Sequence, residues 1–79
     1  MQYYFDTFDG DGWMIDSEGL DFLDDNEALQ NAHAALPDIA HDQIPGESQR
    51  MMIVRVRDGD GPLVETTLDL RTVWLRASQ

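Results

Sequence analysis

The sequence predicts a small α+β fold in which one helix packs on one face of a four-stranded antiparallel sheet, in the order ββαββ. Three observations predict this fold. Residues 25–43 are the only long segment in which apolar residues recur at helical spacing. The segments on either side alternate between apolar and polar residues, which is typical of half-buried strands. Asp-Gly turn sequences separate those segments, so that neighbouring strands are expected to form hairpins.

The first hairpin is predicted from an aromatic-rich segment and the turn that follows it. Residues 2–9 contain good strand formers and no Pro or Gly, and we expect them to form the first strand. The sequence Asp-Gly-Asp-Gly at 9–12 favours the positive φ angles of a tight turn, and a second strand is expected at 13–15. Residues 20–23 then form a short extended connection. Its apolar side chains, expected to pack beneath the helix, are Leu20, Phe22 and Leu23.

The helix has clear signals at both ends. Asp24 is a good N-cap, and Glu27 three positions later completes a capping-box pattern. Pro45 and Gly46 are expected to stop the helix. Pro37 lies inside it and removes one backbone hydrogen bond. Because the apolar stripe continues in phase beyond Pro37, we expect a kinked helix, with a break into two short helices as the alternative.

The second hairpin is the more regular one. Residues 50–57 and 63–70 alternate apolar and polar side chains, and a second Asp-Gly-Asp-Gly sequence at 58–61 lies between them. Residues 73–75 are expected to extend the last strand after an irregularity. The first and third strands are the longest and the most apolar on both faces, so we place them at the centre of the sheet.

The charge of the chain limits its partners. The 79 residues, expected to form a single domain over 1–79, include sixteen acids, five arginines and no lysine, for a net charge of −11. Residues 1–27 hold nine of the acids and no base, whereas all the arginines lie in the last thirty residues. Such a surface repels nucleic acid and attracts a basic protein partner. The absence of cysteine excludes a disulfide framework and a thiolate zinc site.

The localisation expected from the sequence is cytoplasmic. No apolar run approaches the length of a membrane span, so no membrane partner is expected. The N-terminus has no basic region followed by an apolar signal core.

No motif predicts an enzyme, a cofactor or a metal site. The Asp-Gly-Asp-Gly sequences resemble part of a calcium loop, but the fifth loop position, which should carry an oxygen ligand, is Trp13 in one copy and Pro62 in the other. Both copies are therefore predicted to be turns. His33 and His41 are the only histidines and lie about 12 Å apart along a helix, which is too far for both to coordinate one metal ion. No Gly-x-Ser-x-Gly turn or Gly-rich phosphate loop is present.

The sheet face that the helix leaves uncovered is the candidate interaction face. Its predicted residues are Tyr4, Asp6, Phe8, Met51, Ile53, Arg55 and Arg57. This face is more apolar than a solvated face requires, and such a patch often marks an interface. We therefore expect a non-enzymatic interaction module, self-associating as a dimer or binding another protein through this face. The alternative is that the C-terminal segment with Trp74 folds over it.

Several sequence blocks together form a recognisable pattern. They are Tyr3-Tyr4-Phe5-Asp6, Asp9-Gly10, Asp16-Ser17-Glu18-Gly19, Glu27-Ala28, Ala35-Leu36-Pro37-Asp38-Ile39-Ala40, Val54-Arg55-Val56-Arg57-Asp58 and the segment 68–75. This pattern resembles a family of short bacterial proteins, a domain of unknown function common in alphaproteobacteria. The resemblance covers nearly the whole chain and implies no activity.

A looser pattern covers residues 1–36. It consists of Tyr3, the Asp-x-Asp-Gly sequence at 9–12, Gly19 and the helical segment 27–36. It is similar to the N-terminal domain of HicB-type antitoxins, which neutralise a small basic RNase toxin and usually carry a separate DNA-binding segment. The second half of this chain departs from that pattern and contains no such segment. The resemblance implies a second hypothesis, an acidic inhibitor of a small basic partner.

Overall fold

One helix and one antiparallel sheet make up the fold, which confirms the predicted α+β class. The computed structural model describes residues 1–43 and 49–76. In chain order the elements are β1 (Gln2–Phe8), β2 (Trp13–Met14), β3 (Leu20–Asp21), α1 (Asp25–Gln43), β4 (Gln49–Asp58) and β5 (Gly61–Arg71).

The strands lie in the order β2-β1-β4-β5, so the first and third predicted strands are central, as expected. The second strand predicted at 13–15 forms as β2, and the extended connection expected at 20–23 contributes a further short strand, β3, so that one edge of β1 is divided between two short strands. β2 pairs with the end of β1, where Phe8 lies opposite Trp13, and β3 pairs with its start, where Tyr3 lies opposite Leu20. The sheet therefore has five strands rather than four.

The loop between β2 and β3 causes this division. The chain leaves the edge of β1 after Met14 and returns to it through Gly19, whose φ of +77° lies in the left-handed region. A Cβ atom at Gly19 would lie 2.8 Å from the carbonyl oxygen of Tyr3. Only glycine combines this φ angle with so close an approach to the neighbouring strand.

The helix begins where the sequence predicts. The Asp24 Oδ1 atom accepts a hydrogen bond of 3.0 Å from the backbone amide of Glu27, which confirms the N-cap. The helix continues through Pro37 without interruption, so the alternative of two short helices is wrong. The stop predicted at Pro45 and Gly46 lies outside the described residues.

The core lies between α1 and the two central strands. The buried side chains of α1 are Ala28, Ala32, Leu36 and Ala40, and those of the sheet are Tyr3, Met52, Val54 and Val56. Three of the four helix residues are alanines, so the helix backbone approaches the sheet closely. The helix packs mainly on β4 and to a lesser extent on β5. The opposite edge of the sheet is therefore less covered than its centre.

This placement of the helix corrects two sequence predictions. Phe22 packs against the core, as expected. Leu20 in β3 and Leu23 in the segment before α1 do not pack beneath the helix, since they are 53% and 81% exposed. The last strand also ends at Arg71, so residues 73–75 do not extend it.

A substitution at Gly19 tests the account of the β2–β3 loop. We expect Gly19→Ala to lower the free energy of unfolding by at least about 2 kcal/mol, because alanine meets both left-handed strain and the Tyr3 carbonyl. The matched control is Gly59→Ala, since a Cβ atom there has no neighbour within 4 Å. The control should change stability by less than about 0.5 kcal/mol in urea unfolding. Equal losses in the two variants would contradict this account.

Candidate functional site

The structure places all seven residues of the candidate interaction face on one side of the sheet. β1 and β4 pair so that directly opposite residues share a face, and the relevant pairs are Tyr4–Arg57, Asp6–Arg55 and Phe8–Ile53. Met51 lies two residues before Ile53 and therefore faces the same way. The residues between them, such as Val54 and Val56, belong to the core beneath α1. We call the side opposite α1 the open face.

The Asp6–Arg57 ion pair is the most buried polar contact of the open face. Asp6 is only 4% exposed. Its Oδ2 atom accepts a 2.8 Å hydrogen bond from Arg57 Nε, and its Oδ1 atom accepts one of 3.3 Å from Arg57 Nη2. The Arg57 guanidinium also lies 4.7 Å from the centroid of the Tyr4 ring. This arrangement joins β1 to β4 through a two-point contact that lysine cannot make.

Asp16 extends this contact into the β2–β3 loop. The backbone amide of Asp16 donates a 2.9 Å hydrogen bond to Asp6 Oδ1, and its carbonyl accepts one of 2.6 Å from Arg57 Nη2. Its carboxylate accepts the amides of Phe5, Glu18 and Gly19 at 3.0, 3.0 and 3.1 Å. The Phe5 amide lies on β1 between the segments paired with β2 and β3, so Asp16 satisfies a backbone donor that no strand reaches.

The pKa values of the two carboxyl groups follow from these contacts. Burial alone would raise the pKa of Asp6, but the Arg57 guanidinium and the Asp16 amide outweigh it and lower the pKa. Burial also opposes ionisation of Asp16, yet three backbone amides and the charge of Arg57 hold its pKa below the usual value. Both groups are therefore ionised at neutral pH and fully engaged with donors. They are arranged to hold the loop and sheet together.

A second cluster lies beside the first. The Arg55 guanidinium lies 4.5 Å from the centroid of the Trp13 ring, and Arg55 Nε donates a hydrogen bond to Glu65. Trp13 also packs on Phe8, with 5.4 Å between ring centroids. Trp13 and Met51 are 40% and 42% exposed, so this part of the open face presents large apolar side chains to solvent.

Sequence reasoning did not place Trp13 or Asp16 in this site. Trp13 follows the first Asp-Gly turn directly opposite Phe8, so the hairpin register is the signal that would have located it. Asp16 has no such local signal. Its role depends on the gap between β2 and β3, which only the folded sheet reveals.

Residues 72–76 of the tail do not cover the open face. Trp74 is 80% exposed, so the alternative in which the C-terminal segment folds over this face is wrong. The face is instead held in place by its own ion pairs and ring contacts, and residues 72–76 leave it uncovered.

Both Asp-Gly-Asp-Gly sequences form turns, as predicted. Asp9 Oδ1 accepts the amides of Asp11 and Gly12 at 2.9 and 3.2 Å, and Asp58 Oδ1 accepts the amide of Asp60 at 2.9 Å. Within residues 1–43 and 49–76, no three His, Asp or Glu side chains are grouped to hold a metal ion. The two helix histidines are exposed.

The fold and the open face define a small α+β protein with one helix on an antiparallel sheet. Residues 2–70 match the family described as Domain of unknown function (DUF6894), and the chain belongs to this family. The predicted resemblance to an uncharacterised family is thus confirmed, whereas the resemblance to antitoxins stays a prediction. No curated protein and no solved structure matches the chain. Among the described residues, no helix has the length and apolar character needed to cross a membrane.

The lowered pKa values predict how stability depends on pH. A carboxyl group whose pKa is lower in the folded state stabilises the fold above its unfolded pKa of about 3.9, and this stabilisation is lost as pH falls through the folded pKa. We expect Asp16→Asn to lower the free energy of unfolding at pH 7 by about 1–3 kcal/mol and to flatten its decline below pH 4.

Urea unfolding at pH 7 and at pH 3 measures both effects. Asp60→Asn is the control, because it removes one acidic charge at an exposed residue of the β4–β5 turn. A wild-type protein as stable at pH 3 as at pH 7, or a control that flattens the decline equally, would contradict the role given to Asp16.

Proposed function

We propose that this protein is a non-enzymatic interaction module that self-associates through its open face. The observation that carries the proposal is that this face is held in one arrangement by the Asp6–Arg57 pair and yet is uncovered by the described tail. It presents exposed Trp13 and Met51 together with half-buried Arg55, and these residue types are enriched at protein interfaces.

Side chains of the open face are already fixed by contacts within the chain, and this favours binding. Arg57 is held by Asp6, by the ring of Tyr4 and by the Asp16 carbonyl. Arg55 lies between Trp13 and Glu65. Association therefore immobilises few additional side-chain rotamers, which lowers the entropic cost of binding.

Charge also permits a second copy as the partner, although each chain carries a net charge of −11. On the open face the arginines lie beside acids, so positive and negative groups are interleaved. Arg55 and Glu65 have side chains that are 38% and 44% exposed. In a two-fold symmetric contact, this interleaving allows an arginine of one copy to face an acid of the other, with the reverse contact forming as well.

The non-enzymatic part of the proposal rests on the pKa values and the hydrogen bonds of Asp6 and Asp16. Asp6 and Asp16 have lowered pKa values and accept hydrogen bonds from arginine and backbone donors. A general acid or base at neutral pH needs a pKa closer to 7 and a free position for substrate. These two groups have the properties of structural carboxylates.

Substitutions on the open face test self-association. We expect the wild-type protein to be dimeric at high micromolar concentration and Tyr4→Ser or Ile53→Ser to weaken dimerisation at least about tenfold, because apolar contact area is lost. Size-exclusion chromatography with light scattering, over a concentration series, measures this change.

Leu23→Ser is the matched control, since Leu23 is 81% exposed and lies outside the sheet. It should leave the dimer unchanged. Urea unfolding of each variant separates a loss of association from a loss of folding. A strictly monomeric wild-type protein, or a Leu23 variant as weak as the others, would refute self-association through this face.

The charge distribution favours a second candidate function, the acidic inhibitor of a small basic protein. Residues 1–27 hold nine acids and no base, so the first third of the chain is strongly negative. This function predicts a short basic protein encoded by a neighbouring gene and a complex that weakens as salt increases. Co-expression and a salt series measure both, and a neighbourhood without such a gene would exclude this candidate.

A further inference from the structure

A groove lies on the side of the sheet that carries the helix, at the edge formed by β1 and β2. Phe5 and Thr7 line it from β1, and Met14 and Ile15 line it from β2 and the following residue. Its cavity volume is about 300 Å³. This volume is at the lower end of pockets that enclose a small ligand, and it suits one large side chain.

The groove has an apolar wall and a polar one, because Asp16, Ser17 and Glu18 line it together with the apolar side chains. Met14 and Ile15 are 74% and 62% exposed, an unusual state for two consecutive large apolar residues. The helix packs on β4 and β5, and no residue of α1 is among those that line the groove in the described part of the chain. Phe5 opens to this space on one side while it packs against the core on the other.

The surroundings of the groove are acidic. Glu18 lies at its rim, and the groove is built entirely from a part of the chain, residues 1–27, that holds nine acids and no base. A segment that binds here should therefore combine an apolar side chain with positive charges and should carry no acid of its own.

The C-terminal tail of the same chain has this composition. Its apolar residues Val73, Trp74 and Leu75 are 69%, 80% and 98% exposed. Arg71 and Arg76 flank them, and residues 71–79 contain no acid. The tail and the groove thus each expose large apolar side chains, and they carry opposite charge within one molecule.

We propose that residues 72–76 of one copy dock in the β1–β2 groove of a second copy, with Trp74 in the cavity and Arg76 near Glu18. The tail leaves β5 at the opposite edge of the sheet, three strand spacings or about 14 Å to the side of β2, and at Arg71, which pairs with Gln49 four residues beyond the level of Trp13. In the single chain it stays undocked. Two reciprocal contacts in one pair of molecules would each raise the effective concentration of the other. This contact goes beyond self-association through the open face, because it lies on the other side of the sheet.

A mixing experiment with full-length variants tests this contact. The tail variant Trp74→Ser/Leu75→Ser keeps the groove, and the groove variant Met14→Ser/Ile15→Ser keeps the tail. We expect the amide NMR signals of Thr7, Met14 and Ile15 in ¹⁵N-labelled tail variant to shift and saturate when unlabelled groove variant is added. The dissociation constant should rise at least about tenfold when the added protein carries both pairs of substitutions.

The control is the labelled tail variant mixed with unlabelled groove variant that also carries Leu20→Ser/Leu23→Ser. It removes two further exposed leucines outside the groove and should bind as the groove variant does. All four primary targets are at least 62% exposed, so we expect the variants to fold, and urea unfolding verifies this.

The outcomes separate this inference from the proposed function. Association through the open face alone would shift the signals of Tyr4 and Ile53, equally with either unlabelled partner, and would leave the groove signals unchanged. That result overturns tail docking and leaves the open-face dimer intact. Groove signals that differ between wild type and tail variant at every concentration, without dilution dependence, would show docking of each tail in its own chain and would also overturn docking in a second copy.

Discussion

The two-point ion pair between Asp6 and Arg57 is the contact on which the rest of the sheet edge depends. It connects the two central strands, and through the Asp16 backbone it also fixes the loop that returns the chain to β1. A carboxylate that is 4% exposed costs several kcal/mol unless it is paired. The Arg57 partner and the Asp16 amide supply that pairing, so the loop and the pair form one cooperative unit.

Much of the fold follows from periodicity in the sequence. Alternation along β1 and β4 assigns each residue to a face, so it predicted both the core residues, such as Val54, and the composition of the open face. The helix cap at Asp24 follows from local chemistry in the same way. Both are short-range properties, since neighbours along the chain determine them without knowledge of the tertiary fold.

The unpredicted features depend on groups that are far apart in sequence. The division into β2 and β3 requires the Asp16 carboxylate to reach the Phe5 amide and Gly19 to approach the Tyr3 carbonyl. Leucine is a typical core residue, but α1 lies over β4 and leaves Leu20 and Leu23 exposed. Pattern analysis assigns a residue to a face, whereas the lateral position of a helix on that face is set by packing.

The Asp16 carboxylate also determines how the sheet can grow. This carboxylate accepts the Phe5 amide of β1, which lies between the segments paired with β2 and β3. Each of these strands has only two residues. This edge of the sheet therefore offers no continuous row of backbone donors and acceptors to another strand. Among the described strands, β5 at the other edge spans 11 residues and pairs on one side alone. Because each chain has one blocked edge, two molecules can pair through their β5 edges but a third cannot add to the sheet. This protects a small, β-rich protein from extended cross-strand aggregation.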